Sequence, residues 1–230
     1  MTAGLRWARY YDAVYSWRDY PAEAAYLQPL LKGAVLDVAC GTGSHIALLS
    51  QHHDFTGVDL DPEMLAIARS KNPGVRFVQG DMATFNLERT FDTVTCLFSS
   101  IGYMNDAGRL NDAIANFARH CAPGGSVLVE PWILRERFQP AALPQTHVGE
   151  GADFRVARMG WAVPKNGRTV VVFHYLVGTR DEGIEHFEEK HELGFYSDVQ
   201  YRAAFKAAGL EVEFDERGPM GRGLYVGRKQ

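Results

Sequence analysis

The chain reads as an α/β protein, with a mostly parallel sheet covered by helices on both faces and an antiparallel β region inserted after residue 132. Three observations carry that reading. From Val35 to Val129 apolar strand-like runs alternate with helical periodicities, the pattern of a parallel sheet buried on both sides. The first run passes through a glycine turn, Ala39-Cys40-Gly41-Thr42-Gly43, directly into a helix. After Trp132 the helical periodicity stops, and three β-like stretches joined by turn chemistry follow.

Each element has a local reason. Residues 5–31 read as two helical pieces broken at Tyr20-Pro21, since proline suits a first helical position. Val35 to Val38 is a buried strand, and Gly43 to Ser50 a helix. Phe55 to Val58 is the second strand, and Asp61 caps a helix from Pro62 to Ser70. Val75 to Val78 is the third strand, and Phe91 to Phe98 is a β-rich run entering Ser99-Ser100-Ile101-Gly102-Tyr103. Leu110, Ile114 and Phe117 set a helical period from Asp106 to Cys121. Pro123-Gly124-Gly125 breaks it before the strand Ser126 to Val129.

Residues 133–150, with Pro140, Pro144 and Gly149, read as irregular. Phe154–Val163, Arg168–Thr179 and Ile184–Phe195 read as antiparallel strands, with Pro164-Lys165-Asn166-Gly167 as hairpin chemistry between the first two. Ser197 caps a helix to Ala208, which Gly209 ends. Leu210–Asp215 and Gly223–Arg228 follow as strands. The expected organisation is a core of residues 1–132 and 196–230 with an N-terminal helical cap. Residues 133–195 form the insertion, a surface for an acceptor or for a dimer partner.

Composition narrows the class. At 230 residues and 46% hydrophobic content the chain can bury a substantial core. A net charge of −4, without a long Lys/Arg run, argues against a sequence-independent nucleic-acid surface. The three cysteines are odd in number and sit in apolar or glycine-turn contexts, which suits reduced thiols better than a disulfide framework. No apolar run approaches bilayer-spanning length. The expectation is a soluble, cytoplasmic protein with no membrane or nucleic-acid partner. Asn105, Asp106, Asn111 and Asp112 read as a polar loop and helix face, so no metal is expected.

The chemistry is carried by acids at strand ends. A dinucleotide fingerprint needs a third glycine, but Ile46 holds that position here. The strand ends in Asp37, where a pyrophosphate would be repelled. An acid beside Gly41 and Gly43 suits a ligand with a cationic end, such as the ammonium and sulfonium of S-adenosylmethionine. Asp59, at the end of the second strand, suits two ribose hydroxyls. Asp81 and the backbone of Met82, after the third strand, suit an adenine amino group and ring nitrogen. Ala39 in the turn, Leu60 beside Asp59, Phe98 at the fourth strand end and Tyr11 are further candidate cofactor neighbours. This ordered set resembles the Rossmann-like class I S-adenosylmethionine-dependent methyltransferases over residues 33–130, which implies a mostly parallel seven-stranded sheet.

On the acceptor side, Tyr11 and Tyr15 share one helical face, either as core contacts or over the cofactor. Glu130 leaves the sheet at its carboxyl edge, where open α/β sheets bind ligands. Trp132 is either packing or an acceptor wall, and Ser99 faces the same crevice. Arg222, in the glycine-rich loop Arg217 to Leu224, is either a solvated turn residue or a fork for phosphate. Together, Tyr11-Asp12-Ala13-Val14-Tyr15, the glycine turn, Phe98-Ser99-Ser100-Ile101-Gly102-Tyr103, Val129-Glu130-Pro131-Trp132 and Gly218-Pro219-Met220-Gly221-Arg222-Gly223-Leu224 resemble the TDP-3-aminosugar N,N-dimethyltransferases. That resemblance extends from about residue 8 to 228. It implies a dimeric enzyme that methylates a nucleotide-linked amino sugar twice, with Tyr15 near the reacting amine and Arg222 near the diphosphate. Asn116 stands where relatives place a histidine near the amino sugar, and is carried as a catalytic candidate. His120 reads instead as a helix C-terminal residue. The alternatives are methylation of an unphosphorylated metabolite and a non-catalytic S-adenosylmethionine-binding protein.

Overall fold

A computed structural model describes residues 8–230; residues 1–7, including the start of the helical piece expected from residue 5, lie outside the described residues. The chain opens with α1 (Ala8–Val14) and continues through α2 (Tyr20–Leu27), β1 (Ala34–Val38), α3 (Ser44–Leu49), β2 (Asp54–Asp59) and α4 (Pro62–Lys71). Next come β3 (Arg76–Gln79), β4 (Phe91–Cys96), α5 (Ala107–His120) and β5 (Cys121–Val129). A run of strands follows: β6 (Gln145–Glu150), β7 (Phe154–Lys165), β8 (Arg168–Thr179) and β9 (Gly183–Gly194). The last elements are α6 (Asp198–Ala207), β10 (Leu210–Asp215) and β11 (Leu224–Lys229). These elements fall into two compact units, the larger spanning Tyr20–Arg137 and Gly194–Gln230 and the smaller 8–19 and Phe138–Leu193.

The larger unit is built on a seven-stranded sheet in the order β10-β11-β5-β4-β1-β2-β3. β1 pairs in parallel with both β2 and β4, and β11 pairs antiparallel to β5 and to β10. Alternate side chains of the strands enter two cores. Leu36, Val38, Val94, Cys96, Val127 and Val129 pack with Leu110, Ile114 and Phe117 of α5 and Phe205 of α6. Val35, Phe55, Phe77, Leu97 and Leu128 pack with Leu27 of α2, Ile46 and Leu49 of α3, and Leu65 of α4. Period-two alternation divided between two apolar layers is why these strands read as continuous hydrophobic runs. The chain order reverses at β1, between β4 and β2, and that reversal opens the crevice where ligands bind in such sheets. Helix starts follow their caps: Asp61 accepts from the Glu63 amide at 2.8 Å, and Ser197 forms a capping box with Gln200.

The smaller unit is a four-stranded antiparallel sheet ordered β6-β7-β8-β9. Its inner face carries Val156, Tyr175 and Val177, against which Tyr10 and Val14 of α1 are packed. The first helical piece, expected within the cap of the core, therefore belongs to the smaller unit, because its apolar face finds that sheet. β6 is a second departure, since residues 133–150 were expected to be irregular. Gln145, Thr146, Val148 and Glu150 are exposed on an edge strand, so no hydrophobic alternation marks it. Gly149 there is a close-approach residue: a Cβ would lie 2.0 Å from the Ala13 carbonyl oxygen. β5 begins earlier than expected, taking Pro123-Gly124-Gly125 into the strand as an irregularity against β4. Among the described residues, no helix is long and apolar enough to cross a membrane, and the three thiols Cys40, Cys96 and Cys121 are free.

Candidate cofactor and acceptor site

The glycine turn alternates handedness. Ala39, Gly41 and Gly43 have φ of 56°, 54° and 71°, with right-handed or extended residues between them. A left-handed alanine costs about 1–2 kcal/mol, so surrounding bonds must hold it. They do: the Cys40 amide donates to the Val58 carbonyl at 3.0 Å, the Gly41 amide to Asp59 Oδ2 at 2.7 Å, and the Gly43 amide to the Cys40 carbonyl at 3.0 Å. The two glycines serve different ends. A Cβ on Gly41 would meet nothing within 4 Å, so its outer side is open, whereas on Gly43 it would lie 2.7 Å from Asn72 Nδ2. The turn amides of residues 40, 41 and 43 already have acceptors inside the protein, which removes the donors a phosphate cradle needs.

The three strand-end acids lie around this turn in different electrostatic states. Asp37, on the central strand, is buried and accepts from Thr95 Oγ1 at 2.8 Å. Burial pushes its carboxyl up to about 6, with Asp59 adding to the rise and His45 and Thr95 opposing it. Asp59 uses Oδ2 for Gly41 and Oδ1 for the Asp61 amide at 2.9 Å. Burial raises its carboxyl too, and those backbone donors oppose the rise. Asp81 goes the other way. Burial raises it, but the Ala83 amide at 2.8 Å and the Arg109 guanidinium at 2.6 Å outweigh burial and hold it below the ordinary carboxylate range. Arg109 was not expected at this site. Its partner lies 28 residues away, and no local pattern in the sequence marks that pairing.

Leu60 is exposed despite its size, as an apolar platform beside Asp59. Met82 is buried, and its carbonyl accepts from Asn116 Nδ2 at 3.0 Å. Asn116 has no exposed surface. Expected beside the acceptor, it instead fixes the backbone that follows Asp81. His120 is likewise buried, accepting the Leu87 amide at Nε2, 3.1 Å away, and contacting the Asn116 carbonyl at Nδ1.

A second cluster forms where β4 and β5 end. Phe98 and Ser99 both have positive φ, 51° and 64°, a consecutive pair of strained non-glycine residues. Glu130 holds them through Oε2, which accepts the Phe98 amide at 2.7 Å, and its own amide donates to the Cys96 carbonyl at 2.9 Å. Ser99 Oγ donates to the Pro131 carbonyl at 3.0 Å and accepts from Arg222 Nη1 at 2.6 Å. The Arg222 guanidinium carbon stands 5.2 Å from the Trp132 ring and 5.8 Å from the Phe98 ring. Arg222 is thus a seated fork rather than a solvated turn residue. Glu130 and Ser99, expected to touch the acceptor, are buried and act by seating Phe98 and Arg222. Trp132 Nε1 is buried with no hydrogen-bond partner among the described residues.

Tyr11 and Tyr15 lie in the smaller unit, their ring centroids 4.6 Å apart. The Arg158 guanidinium lies 4.6 Å from the Tyr15 ring and 4.4 Å from the Phe173 ring, and Arg158 also hydrogen-bonds the Tyr175 side chain. Arg158 is 4% exposed, and its Nε and Nη1 have no hydrogen-bond partner among the described residues. Sequence reading missed it, although a signal exists: in β7 it holds the inward position between Val156 and Gly160, where a cation needs an explanation.

The donor set of the larger unit fits an adenosyl ligand with a cationic amino-acid end. It offers a buried carboxylate lacking a cation of its own strand, a glycine with open space outside it, an exposed leucine and a second acid before a buried methionine backbone. Residues 35–125 match a family model described as a methyltransferase domain. Over 229 residues the chain is 42% identical to dTDP-3-amino-3,6-dideoxy-alpha-D-glucopyranose N,N-dimethyltransferase of Streptomyces fradiae, spanning 96% of this chain and 89% of that protein. The chain belongs to this family of sugar N,N-dimethyltransferases. The crystal structure of Streptomyces venezuelae DesVI superposes with a TM-score of 0.90 at 38% identity, covering 97% of this chain and 98% of that one. CalS10 from Micromonospora echinaspora, an amino pentose methyltransferase solved with S-adenosylmethionine bound, gives 0.84 at 34% identity, with 96% of each chain covered. The class I methyltransferase fold and the methyltransferase activity expected from the acid–glycine pattern are those of the family.

Asp37 has a measurable consequence for stability in the ligand-free enzyme. Its folded value near 6 lies above the ordinary 3.8, so the folded state binds more protons between the two. The contribution of this group is therefore most favourable at acid pH and is lost as pH rises toward 6. At neutral pH its ionisation costs on the order of 3 kcal/mol. Asp37→Asn is expected to raise the melting temperature at pH 7.5 and to lose that advantage as pH approaches 4. A variant less stable than the parent at pH 7.5 contradicts the burial account.

Proposed function

We propose that this enzyme transfers methyl groups from S-adenosylmethionine to the amino group of a nucleoside-diphosphate-linked amino sugar, giving the N,N-dimethylated product. The bound sulfonium supplies an already activated methyl group, so the protein's work is alignment and electrostatics. Asp37 would neutralise the ammonium end of the cofactor, Asp59 would take the ribose hydroxyls, and Asp81 with the Met82 backbone would take the adenine. Ala39, Leu60 and Phe98 would pack around the adenosyl group, with Tyr11 a further neighbour. Tyr15 would orient the acceptor nitrogen, whose proton can leave to water before attack. The Trp132 indole N–H offers a hydrogen bond to the sugar.

One observation carries the choice of acceptor: the guanidinium of Arg222 is held by Ser99 and lies within 6 Å of the rings of both Phe98 and Trp132. A fork fixed in this way suits bidentate contact with a diphosphate. Mass spectrometry of products from a panel of TDP-linked 3- and 4-amino sugars, with labelled methyl donor, tests the assignment. Two added methyl groups on one member are expected, and no transfer to any member overturns it.

We infer further that the enzyme is a homodimer joined through the outer face of the smaller sheet. Val148, Met159, Trp161, Leu176 and Ile184 are exposed there, an apolar band that a monomer would leave in water. The free thiols favour a reducing, cytoplasmic setting. Sedimentation velocity checks the assembly: a dimer is expected for the parent and a monomer for Trp161→Asp, whereas a monomeric parent rules the dimer out.

The diphosphate role separates in kinetics. Arg222→Ala is expected to raise KM for the nucleotide-linked acceptor at least tenfold, with kcat and cofactor affinity nearly unchanged, the signature of lost uniform binding. Arg222→Lys is expected to recover only part of that loss, since it keeps the charge without the fork. An unchanged KM in the alanine variant favours an unphosphorylated metabolite instead.

A further inference from the structure

Helix α5 carries a polar stripe toward the segment that follows β3. Arg109, Asn116 and His120 stand seven and four residues apart, which places them on one face of the helix. Each meets residues 81–87. Arg109 Nη2 donates to Asp81 Oδ2 at 2.6 Å, Asn116 Nδ2 donates to the Met82 carbonyl at 3.0 Å, and His120 Nε2 accepts the Leu87 amide at 3.1 Å. The Asn116 and His120 ties go to backbone and are buried. Of the three, Arg109 alone bonds a side chain, and that side chain is the acid proposed to take the adenine.

Stability does not account for Arg109. Met82, Ala83, Phe85 and Leu87 share one apolar core with Leu110, Ile114 and Phe117 of α5, and the two backbone ties already join the segment to the helix. An ion pair whose side chains are 37% and 31% exposed adds little to that. Helix physics also opposes a cation at this place. Arg109 lies in the first turn of α5, which holds no acid, and the positive end of the helix dipole disfavours it. Asp106 and Asp112 of its own helix act on its charge, yet its guanidinium bonds Asp81, 28 residues earlier.

The tie shapes the carboxylate. Oδ1 accepts the Ala83 amide at 2.8 Å and Oδ2 the guanidinium, so both oxygens are fixed, and the plane of the group with them. Burial opposes ionisation of Asp81, but these two donors hold it below the ordinary carboxylate range, so at neutral pH the group accepts and does not donate. Each oxygen has a second lone pair, and the partly open side chain leaves room for a further donor.

We propose that Arg109 is a positioning residue for base recognition: it holds the Asp81 carboxylate in one orientation, with its remaining lone pairs left to the 6-amino group of the cofactor's adenine. The proposal rests on the reading that Asp81 takes the adenine, and it makes Arg109 a determinant of base choice. A carboxylate fixed before the ligand arrives favours a purine with a 6-amino donor, because the hydrogen bond forms without ordering the side chain.

Calorimetric titration at neutral pH tests it with two ligands, S-adenosylhomocysteine and the analogue whose purine carries hydrogen in place of the 6-amino group. The proteins are the parent, Arg109→Met, Arg109→Lys and Asp81→Ala, with thermal unfolding to confirm that each is folded. The parent is expected to prefer S-adenosylhomocysteine by about tenfold or more, the value of a hydrogen bond to a charged group. In Arg109→Met the preference is expected to shrink to about threefold or less, with affinity for the analogue within about twofold of the parent's. Arg109→Lys is expected to fall between, since it keeps a charged donor without the fork. An equal loss for both ligands in Arg109→Met is the mark of a merely structural tie or of direct contact elsewhere on the ring, and it overturns the proposal. A parent with no preference, or an Asp81→Ala enzyme that keeps the parent's preference, overturns the Asp81 reading and the role of Arg109 with it. A preference lost in Asp81→Ala but equal or larger in Arg109→Met overturns the role of Arg109 alone.

Discussion

Two hydrogen bonds made by Asp59 close the glycine turn, and the site proposed for the cofactor depends on them. One oxygen takes the Gly41 amide and the other the Asp61 amide, so a single carboxylate ties the β1 turn to the start of α4. The left-handed conformations of Ala39 and Gly41 persist because that tie is made. It also consumes an N–H that a phosphate-binding loop would present outward. A turn with its amides satisfied internally and acids at its margins repels phosphate and attracts cations. The same glycine-rich sequence grammar therefore leads to a different ligand from that of a dinucleotide fold.

Buried charge recurs through the molecule, and each instance carries a cost that a ligand or partner group must offset. Asp37 lies in an apolar sheet with a hydroxyl as its hydrogen-bond donor. Arg158 lies against two aromatic rings with its Nε and Nη1 lacking hydrogen-bond partners among the described residues. Glu130 is buried and committed to a strained backbone turn. A sequence selected for stability alone would replace such groups with hydrocarbon of similar volume. Their presence at strand ends and inward-facing positions is what a binding site with preset charges requires, because charges fixed in advance need no reorganisation when the ligand arrives.

Most of the larger unit was legible in the sequence because its signals are local. The caps at Asp61 and Ser197, the alternation along the strands and the acid–glycine order each lie within a few residues of what they specify. Departures arose where meaning depends on a distant neighbour. Gly149 looked like a loop residue, yet it is required by the approach of Ala13, more than a hundred residues earlier. Residues 8–14 looked like a cap on the core because helical periodicity shows which face is apolar and not which surface will receive it. Asn116, Glu130 and Ser99 carried the chemistry expected of acceptor contacts. Only the geometry shows them buried against Met82, Phe98 and Arg222. Arg109 and Arg158 were passed over because an arginine on a helix or strand is ordinarily solvated.

The central claim is that the turn between β1 and α3 is closed to phosphate and prepared for a cationic adenosyl ligand. Parallel calorimetric titrations of the unmodified enzyme with S-adenosylhomocysteine and with NAD at neutral pH test it most directly. Saturable binding of S-adenosylhomocysteine, one molecule per chain, with no measurable heat from NAD is the expected result. Saturable NAD binding without S-adenosylhomocysteine binding would contradict it.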